Sequence, residues 1–532
     1  MTEPAVVESA GRARGIGVTV LATLVVALAA GSARAQAPHP GQPVYDKWCA
    51  GCHGVEGDGR GPAAGFMLPP PRDFTRASYQ IRSTATGQLP TDADLRRVID
   101  DGMPGTAMPG WRTILTARQR DDLVSYLKTF SRFFEDQPPE PLRFGGAPGG
   151  GDEAIAEGRR VYETLECWRC HGQEGRGDGA SAPTLTDDWN APIRAADLTE
   201  NWHFNGGGSV EEIYARLRTG LDGTPMPTFT DAVEGGIITD EQLWRVAQYV
   251  RSLSPARAPA VREVVRAYRI DDGSLPSSPT DSAWAGIERF YIPLVGQIIV
   301  RPRWFAPSVD GVWVQAVHDD TTLALRLVWH DPSRSPDPSW DEWLERVRAV
   351  HTEVDGPPAA TQGPDRFVVQ FPSQLEGERP FFLGGSARRP AHGWRWSSAP
   401  DRAEEGALTG LGRFAPRQGA PDVRHQAVFE NGAWHLLLSR TLVPTDTAAA
   451  PTLVVGRAIP IAFYAADGSS GEDEMRGAVS AWYAIYLDVP TPRGVYIAPL
   501  TTMLLTAGLG LVLVRQAQRR GRDPERPTSE ES

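Results

Sequence analysis

The chain has 532 residues, too many for one hydrophobic core, and its length points to three or four domains. A formal charge of −12 excludes a nucleic-acid partner, because a phosphate-binding surface needs a basic excess. With 55 Gly, 46 Pro and 41% hydrophobic residues, the composition is globular and weighted toward loops and β-structure.

Residues 1–35 read as a signal peptide. Arg12 and Arg14 charge its start, Ile16 to Ala30 is apolar, and Ala33-Arg34-Ala35 supplies a small-x-small cleavage pattern. The apolar stretch is short for a membrane span, so cleavage is expected over retention as an anchor.

An internal repeat follows. Gly41-Gln42-Pro43-Val44-Tyr45 leads to Cys49-Ala50-Gly51-Cys52-His53, and Gly158-Arg159-Arg160-Val161-Tyr162 leads to Cys167-Trp168-Arg169-Cys170-His171. Each copy continues into a Gly/Asp-rich loop and then a Gly-Thr-x-Met-Pro segment, at Gly105–Pro109 and Gly223–Pro227. Each closes on an amphipathic helix, predicted over Thr116–Phe130 and Thr239–Leu253. The repeats occupy 36–135 and 152–254, with a Pro/Gly-rich linker at 136–151 between them and a second linker at 254–259.

From 260 to 490 the pattern changes to short runs rich in Val, Ile, Trp and Phe. They are Gln297–Val300, Val312–Val317, Leu323–Trp329, Phe367–Phe371, His435–Ser439, Ile461–Tyr464 and Tyr483–Val489. Turn pairs such as Asp310-Gly311, Asn431-Gly432 and Asp467-Gly468 punctuate them, the pattern of a β-sandwich. Ten of the sixteen tryptophans lie here and read as core anchors. Residues 495–514 are uncharged and long enough to cross about 30 Å of hydrocarbon. Arg515, Arg519, Arg520 and Arg522 follow in a tail of 515–532, which the positive-inside rule keeps in the cytoplasm. The expected fold class is multidomain: two all-α domains, one all-β sandwich and one C-terminal transmembrane helix. The expected location is the inner membrane, single-pass, with the large N-terminal part in the periplasm.

Cys-x-x-Cys-His points to a covalently attached c-type haem. Two thiols at this spacing reach the two vinyl groups of one haem, and the adjacent His lies beneath the iron. Cys49, Cys52, Cys167 and Cys170 are the attachment candidates, with His53 and His171 as iron ligands. A zinc site or a redox dithiol explains neither the His after each pair nor the later Met-Pro segments. Met108 and Met226 each lie 55 residues after their His (53 to 108, 171 to 226), which selects them as sixth ligands. Met103 competes in the first copy, but Leu221 stands at its counterpart, and Met67 has no counterpart. His/Met ligation raises the potential and closes the iron to substrates. Trp111, Phe229, Tyr45 and Tyr162 read as packing residues. Arg82 and Arg112 read as propionate partners or solvated arginines, and His39 and His203 as surface groups.

Residues 41–134 and 153–254 resemble class I cytochrome c domains, from Cys-x-x-Cys-His through Gly-Thr-x-Met-Pro. The first copy, with Arg82-Ser83-Thr84, Leu89-Pro90-Thr91-Asp92 and Asp94-Leu95, is similar to cytochromes found with periplasmic respiratory oxidoreductases. Residues 284–490 resemble the haem-binding domain related to the γ subunit of ethylbenzene dehydrogenase. The segments that carry this are Val295-Gly296-Gln297, Trp329-His330-Asp331-Pro332, Phe381–Gly385, Gly393–Trp396 and Ser480–Tyr483. That family implies a β-sandwich accompanying molybdenum enzymes of the dimethyl sulfoxide reductase type. It also implies a haem b between an axial Met and an axial Lys. Leu383 stands at the Met position and Arg476 or Gly477 at the Lys position; Met475 is the only Met between 255 and 490, and no Lys follows Lys128. A haem b in the third domain is therefore not expected. Among His318, His330, His351, His392, His425 and His435, His392 is the best replacement ligand.

The expected function is a dihaem electron carrier, with a periplasmic redox enzyme, molybdenum-containing or otherwise, and other cytochromes or an oxidase as partners. A catalytic dihaem enzyme of the peroxidase or thiosulfate dehydrogenase type would need an open iron. A redox-linked sensing or docking module is the third reading.

Overall fold

The computed structural model describes residues 38–135, 139–271, 274–351, 355–490 and 494–521. The leader expected at 1–35 lies outside them, as does the tail from 522 onward.

The first repeat forms α1 (Gln42–Trp48), α2 (Ala50–His53), α3 (Asp92–Asp101) and α4 (Ala117–Lys128). The second forms α5 (Asp152–Thr164), α6 (Trp168–His171), α7 (Val210–Thr219), α8 (Thr230–Glu234) and α9 (Asp240–Leu253). Capping boxes start the four matching helices: Thr91/Asp94, Thr116/Gln119, Ser209/Glu212 and Thr239/Gln242. In each, the hydroxyl accepts from the backbone N–H three residues on, while the acidic or amide side chain returns to the cap. The predicted closing helices thus begin one residue after their Thr caps.

In each repeat the N-terminal helix crosses the closing one at a glycine. A Cβ on Gly41 would lie 2.1 Å from Asp122 O, and one on Gly158 would lie 2.0 Å from Arg245 O. Only glycine permits this backbone approach. Around the crossings Tyr45, Leu95, Leu123 and Val124 fill one core, and Tyr162, Tyr214, Leu243, Trp244 and Val246 the other. Tyr214 and Trp244 stack with their centroids 3.7 Å apart.

The third region is built of β1 (Val264–Arg269), β2 (Phe290–Pro293), β3 (Val295–Gly296), β4 (Gly311–His318), β5 (Thr322–His330), β6 (Arg366–Pro372) and β7 (Ala391–Ser398). It continues with β8 (Asp401–Leu408), β9 (Phe414–Pro416), β10 (Arg424–Glu430), β11 (Ala433–Thr441), β12 (Ala458–Ala466), β13 (Ala478–Val479) and β14 (Tyr483–Leu487). Strand order is β10-β11-β5-β4-β1-β14-β12-β6-β7-β8-β9, with β2, β3 and β13 paired at the side. β12 belongs to both halves, pairing β14 through Ala458–Ile461 and β6 through Ala462–Ala466. Residues from both halves, among them Leu325, Trp329, Trp394, Trp396 and Phe463, share one core. Eight of the ten tryptophans are buried. Asn431-Gly432, both at positive φ, turn β10 into β11.

Two expectations for this region need correction. It is not all-β: α10 (Asp341–Val350) turns Trp343, Leu344 and Val347 inward, with Asp341 and Glu342 favouring its first turn. Within the sheet, β1 runs parallel to both β4 and β14. Finally, Gln297–Val300 is no strand. Its side-chain amide holds a turn, accepting from Ile299 and Val300 N–H and donating to Val300 O.

The last element, α11 (Gly494–Arg520), contains Pro499 and runs through Arg515, Arg519 and Arg520. Among the described residues it is the one helix long and apolar enough to cross a membrane, and none of its apolar window is buried.

Candidate functional site

Each Cys-x-x-Cys-His segment is a single helical turn that follows the first helix of its repeat. Cys49 N–H still bonds Tyr45 O at 2.8 Å, and His53 N–H returns to Cys49 O at 2.9 Å. The loops after the two turns fold alike. Gly54, Gly57 and Gly59 have φ of 78°, 69° and 75°, and Gly172, Gly175 and Gly177 have φ of 79°, 79° and 77°. This left-handed backbone is open to glycine at little cost, and it bends each loop back under its helix. A buried tyrosine ties the bend: Tyr45 donates to Gly54 O and Tyr162 to Gly172 O, both at 2.7 Å.

The imidazoles are oriented by backbone. His53 Nδ1 bonds Arg72 O at 3.0 Å, and His171 Nδ1 bonds Ala196 O at 2.9 Å. A carbonyl acceptor makes Nδ1 the protonated nitrogen and leaves Nε2 with its lone pair, the form that binds a metal. Burial lowers both histidines below their ordinary range and favours the same neutral ring. The His53 ring stacks on Phe74 at 4.5 Å.

The methionine segments also match. Met103 N–H bonds Met108 O at 3.0 Å, and Leu221 N–H bonds Met226 O at 3.1 Å, so Met103 and Leu221 occupy one structural position. The Thr106 and Thr224 hydroxyls accept from Met108 and Met226 N–H at 3.2 and 3.3 Å. Met108 and Cys49 pack against one apolar cluster with Trp111; Met226, Cys167 and Phe229 pack against the other. Met67 belongs to neither cluster.

These residues suit a c-type haem. All four thiols are unlinked. Burial pushes Cys49 and Cys167 up to about 12, the opposite of a redox dithiol, whose thiol must be lowered to react. Tyr79 OH, Trp111 Nε1, Arg72 Nη1 and Trp189 Nε1 are buried donors without partners, of the kind that propionates accept from.

Several neighbours play parts the sequence did not reveal. Arg82 is neither solvated nor a free propionate partner. Its side chain is fully buried and binds Tyr79 O, Thr219 O and Asp222 Oδ1, clamping the first repeat to the methionine loop of the second. His203 is not a free surface group: it bonds Glu200 at 3.2 Å and Asp310 at 3.0 Å, where the second repeat meets the sheet. Arg112 is exposed and pairs with Asp101, and His39 bonds Ser125. Arg72 was missed because its contribution is a carbonyl, for which no side-chain motif exists. In the third region, His392 turns Nε2 to Glu405 at 3.0 Å and Leu383 is buried.

Residues 36–127 match the family model described as cytochrome C oxidase, cbb3-type, subunit III, and residues 155–254 match that described as cytochrome c. A Haloferax mediterranei protein named as respiratory nitrate reductase heme subunit ORF7 is 25% identical over 251 residues, covering 47% of this chain and 82% of the relative. The CcoP subunit of the cbb3-type cytochrome c oxidase of Rhodobacter capsulatus is 28% identical over 219 residues, covering 40% of this chain and 61% of the relative. A chain in a solved Kuenenia stuttgartiensis structure, a reducing HAO-like protein complex, is 43% identical and covers 41% of this chain and 98% of that one, with a TM-score of 0.39. The matched family models, on top of two identically built Cys-x-x-Cys-His turns, establish residues 36–127 and 155–254 as cytochrome c domains, whose cofactor is covalently bound c-type haem.

Proposed function

We propose that the chain is a dihaem c-type cytochrome that carries single electrons in a periplasmic respiratory pathway, as the electron-transfer subunit of, or partner to, a larger redox enzyme. The observation that carries this is one donor arrangement built twice, with thiol pair, carbonyl-held imidazole and Thr-supported methionine in the same hydrogen-bonding frame. Haem bound there supplies a one-electron couple, raised by His/Met ligation. Cys49, Cys52, Cys167 and Cys170 attach it. His53 and His171, their rings fixed by Arg72 O and Ala196 O, would ligate the iron, with Met108 and Met226 as its second protein ligands. With His and Met both engaged, the iron would be closed to substrates and suited to one-electron transfer.

α11 anchors the chain to the inner membrane and keeps it near its partners, which raises their effective concentration. The names of the relatives, a nitrate reductase heme subunit and an oxidase subunit, suit a redox-enzyme partner, and the resemblance of 284–490 makes a molybdenum enzyme the leading choice. The third region acts as a docking platform without its own haem b. His392 is engaged by Glu405, and no lysine is there to serve as ligand.

Haem stoichiometry tests this reading. Purified protein should hold two covalent haems per chain, and Cys49→Ala with Cys52→Ala should leave one. Met108→Ala should let one of the two irons bind carbon monoxide, whereas Met103→Ala should not. An unaltered parent that binds carbon monoxide at both irons would refute the closed-carrier reading.

A further inference from the structure

Three loops at one end of the sheet bring acids together that electron transfer leaves unused. Asp331 follows β5, Asp365 precedes β6 and Asp467 follows β12. One carboxylate oxygen from each lies within 4.8 Å of the others. Asp331 is 1% exposed, and Asp365 and Asp467 are 0% exposed. Glu472, also buried, accepts from Asp467 N–H at 3.0 Å. Among the described residues, the guanidinium that faces this group is Arg194 of the second cytochrome domain, 3.4 Å from Asp467 Oδ2. One cation cannot balance four buried carboxylates, and uncompensated buried charge is strongly unfavourable.

A second observation concerns hydrogen bonding. Asp365 is satisfied by the N–H groups of Ser335 and Gly468 and by the Trp434 indole, and Asp467 by Ser469. Asp331 Oδ2 and Ser333 Oγ have no partner, although Asp331 is 1% and Ser333 3% exposed. A buried polar atom left alone in an otherwise satisfied network calls for a ligand.

We propose that Asp331, Asp365 and Asp467 bind a calcium ion. The donors are all oxygen, which selects a hard cation over zinc or copper. Calcium takes oxygen donors in irregular, flexible geometry, whereas magnesium demands a near-ideal octahedron and dehydrates reluctantly, which a buried site of three loop carboxylates does not suit. Ser333 Oγ and water complete the sphere. The ion ties together the ends of β5, β6 and β12. Arg194 donates to Ser470 in the loop after β12 and to Ser308 before β4, so the site braces the contact between the second cytochrome domain and the sheet.

The test uses full-length holoprotein in detergent, with covalent haem as the internal count of chains. Metal analysis after dialysis against calcium-free buffer should give about one calcium per chain. EGTA should remove it and lower Tm, calcium should restore Tm, and magnesium at equal concentration should not. Asp331→Asn should weaken calcium binding at least tenfold while both haems are retained. Parent protein that takes up no calcium, or whose Tm ignores both EGTA and calcium, overturns the proposal. So does a Tm that follows pH alone, since the acids would then be balanced by shared protons. Should Asp331→Asn fail to fold, the calcium content and Tm response of the parent still decide.

Discussion

The two cytochrome c domains hold the same donors in the same frame yet sit differently in the molecule. The first touches its neighbours at its edges, through Arg82 and Arg97 on the second domain and Phe66 against Phe305 and Arg303 of the sheet region. The second is wedged between. One side receives Arg82 and stacks Trp189 under Arg72 at 4.7 Å. The other gives His203 to Asp310, Asp197 to His330 and Arg194 to Ser308 and Ser470. The inner parts agree because both answer to the same cofactor geometry. The outer parts diverge because each answers to a different partner surface. Even the carbonyl acceptors show this drift: Arg72 lies 19 residues after its His and Ala196 lies 25 after, although both do the same work.

Three experiments separate what the domains share from what they do not. The largest effect is expected at the shared glycine crossings. Alanine normally favours a helix over glycine by about 1 kcal/mol. At Gly158, and at Gly41 next to α1, its Cβ would overlap a backbone oxygen, so each Gly→Ala change should lower stability by about 3 kcal/mol. Thermal unfolding of each variant checks this; a neutral result at one position alone would mean that the two domains do not cross their helices alike.

A smaller loss belongs to the first domain's clamp. Arg82→Ala leaves the carbonyls of Tyr79 and Thr219 without their donor and Asp222, about one-fifth exposed, without its cation. The expected cost is about 2 kcal/mol. Limited proteolysis between the two domains should accelerate, while covalent haem content should match that of the parent.

The smallest effect is confined to the second domain. Burial pulls His203 down, but hydrogen bonds to Asp310 and Glu200 more than reverse this and hold it at about 10. A pKa raised in the folded state stabilises fully below the unfolded value near 6.5, and that contribution fades as pH rises through 10. Docking of the second domain on the sheet should therefore weaken between pH 6.5 and 10. His203→Gln should flatten that dependence and cost about 1.5 kcal/mol at pH 6. Denaturant unfolding at pH 6 and pH 9.5 measures both. A parent whose stability does not change between them would remove His203 from the contact.

The cytochrome half was legible because its information is local. Cys-x-x-Cys-His, the glycine loops, the Thr caps and Gly-Thr-x-Met-Pro each lie within a few residues, and the duplication let one copy check the other, as when Leu221 disqualified Met103. The sheet half was less so. Its strand runs were readable at Val312–Val317, Leu323–Trp329 and Phe367–Phe371, but Gln297–Val300 has strand composition and is held as a turn by one side chain. α10 escaped because its apolar face, Trp343, Leu344 and Val347, is short and lies among tryptophans read as core anchors of a sandwich.

What the sequence alone determined is the motif: two Cys-x-x-Cys-His segments, each followed 55 residues after its His by a Met-Pro, because that spacing is local and independent of the rest of the fold. It also determined that α11 is apolar enough to span a bilayer, since that depends on an unbroken run of residues and not on their neighbours. Tertiary structure alone decided what Arg72, Arg82, His203 and the acids Asp331, Asp365 and Asp467 do. Their partners lie tens to hundreds of residues away, and a charged side chain carries no mark in sequence of whether it meets water, a carboxylate or a carbonyl until the chain has closed around it.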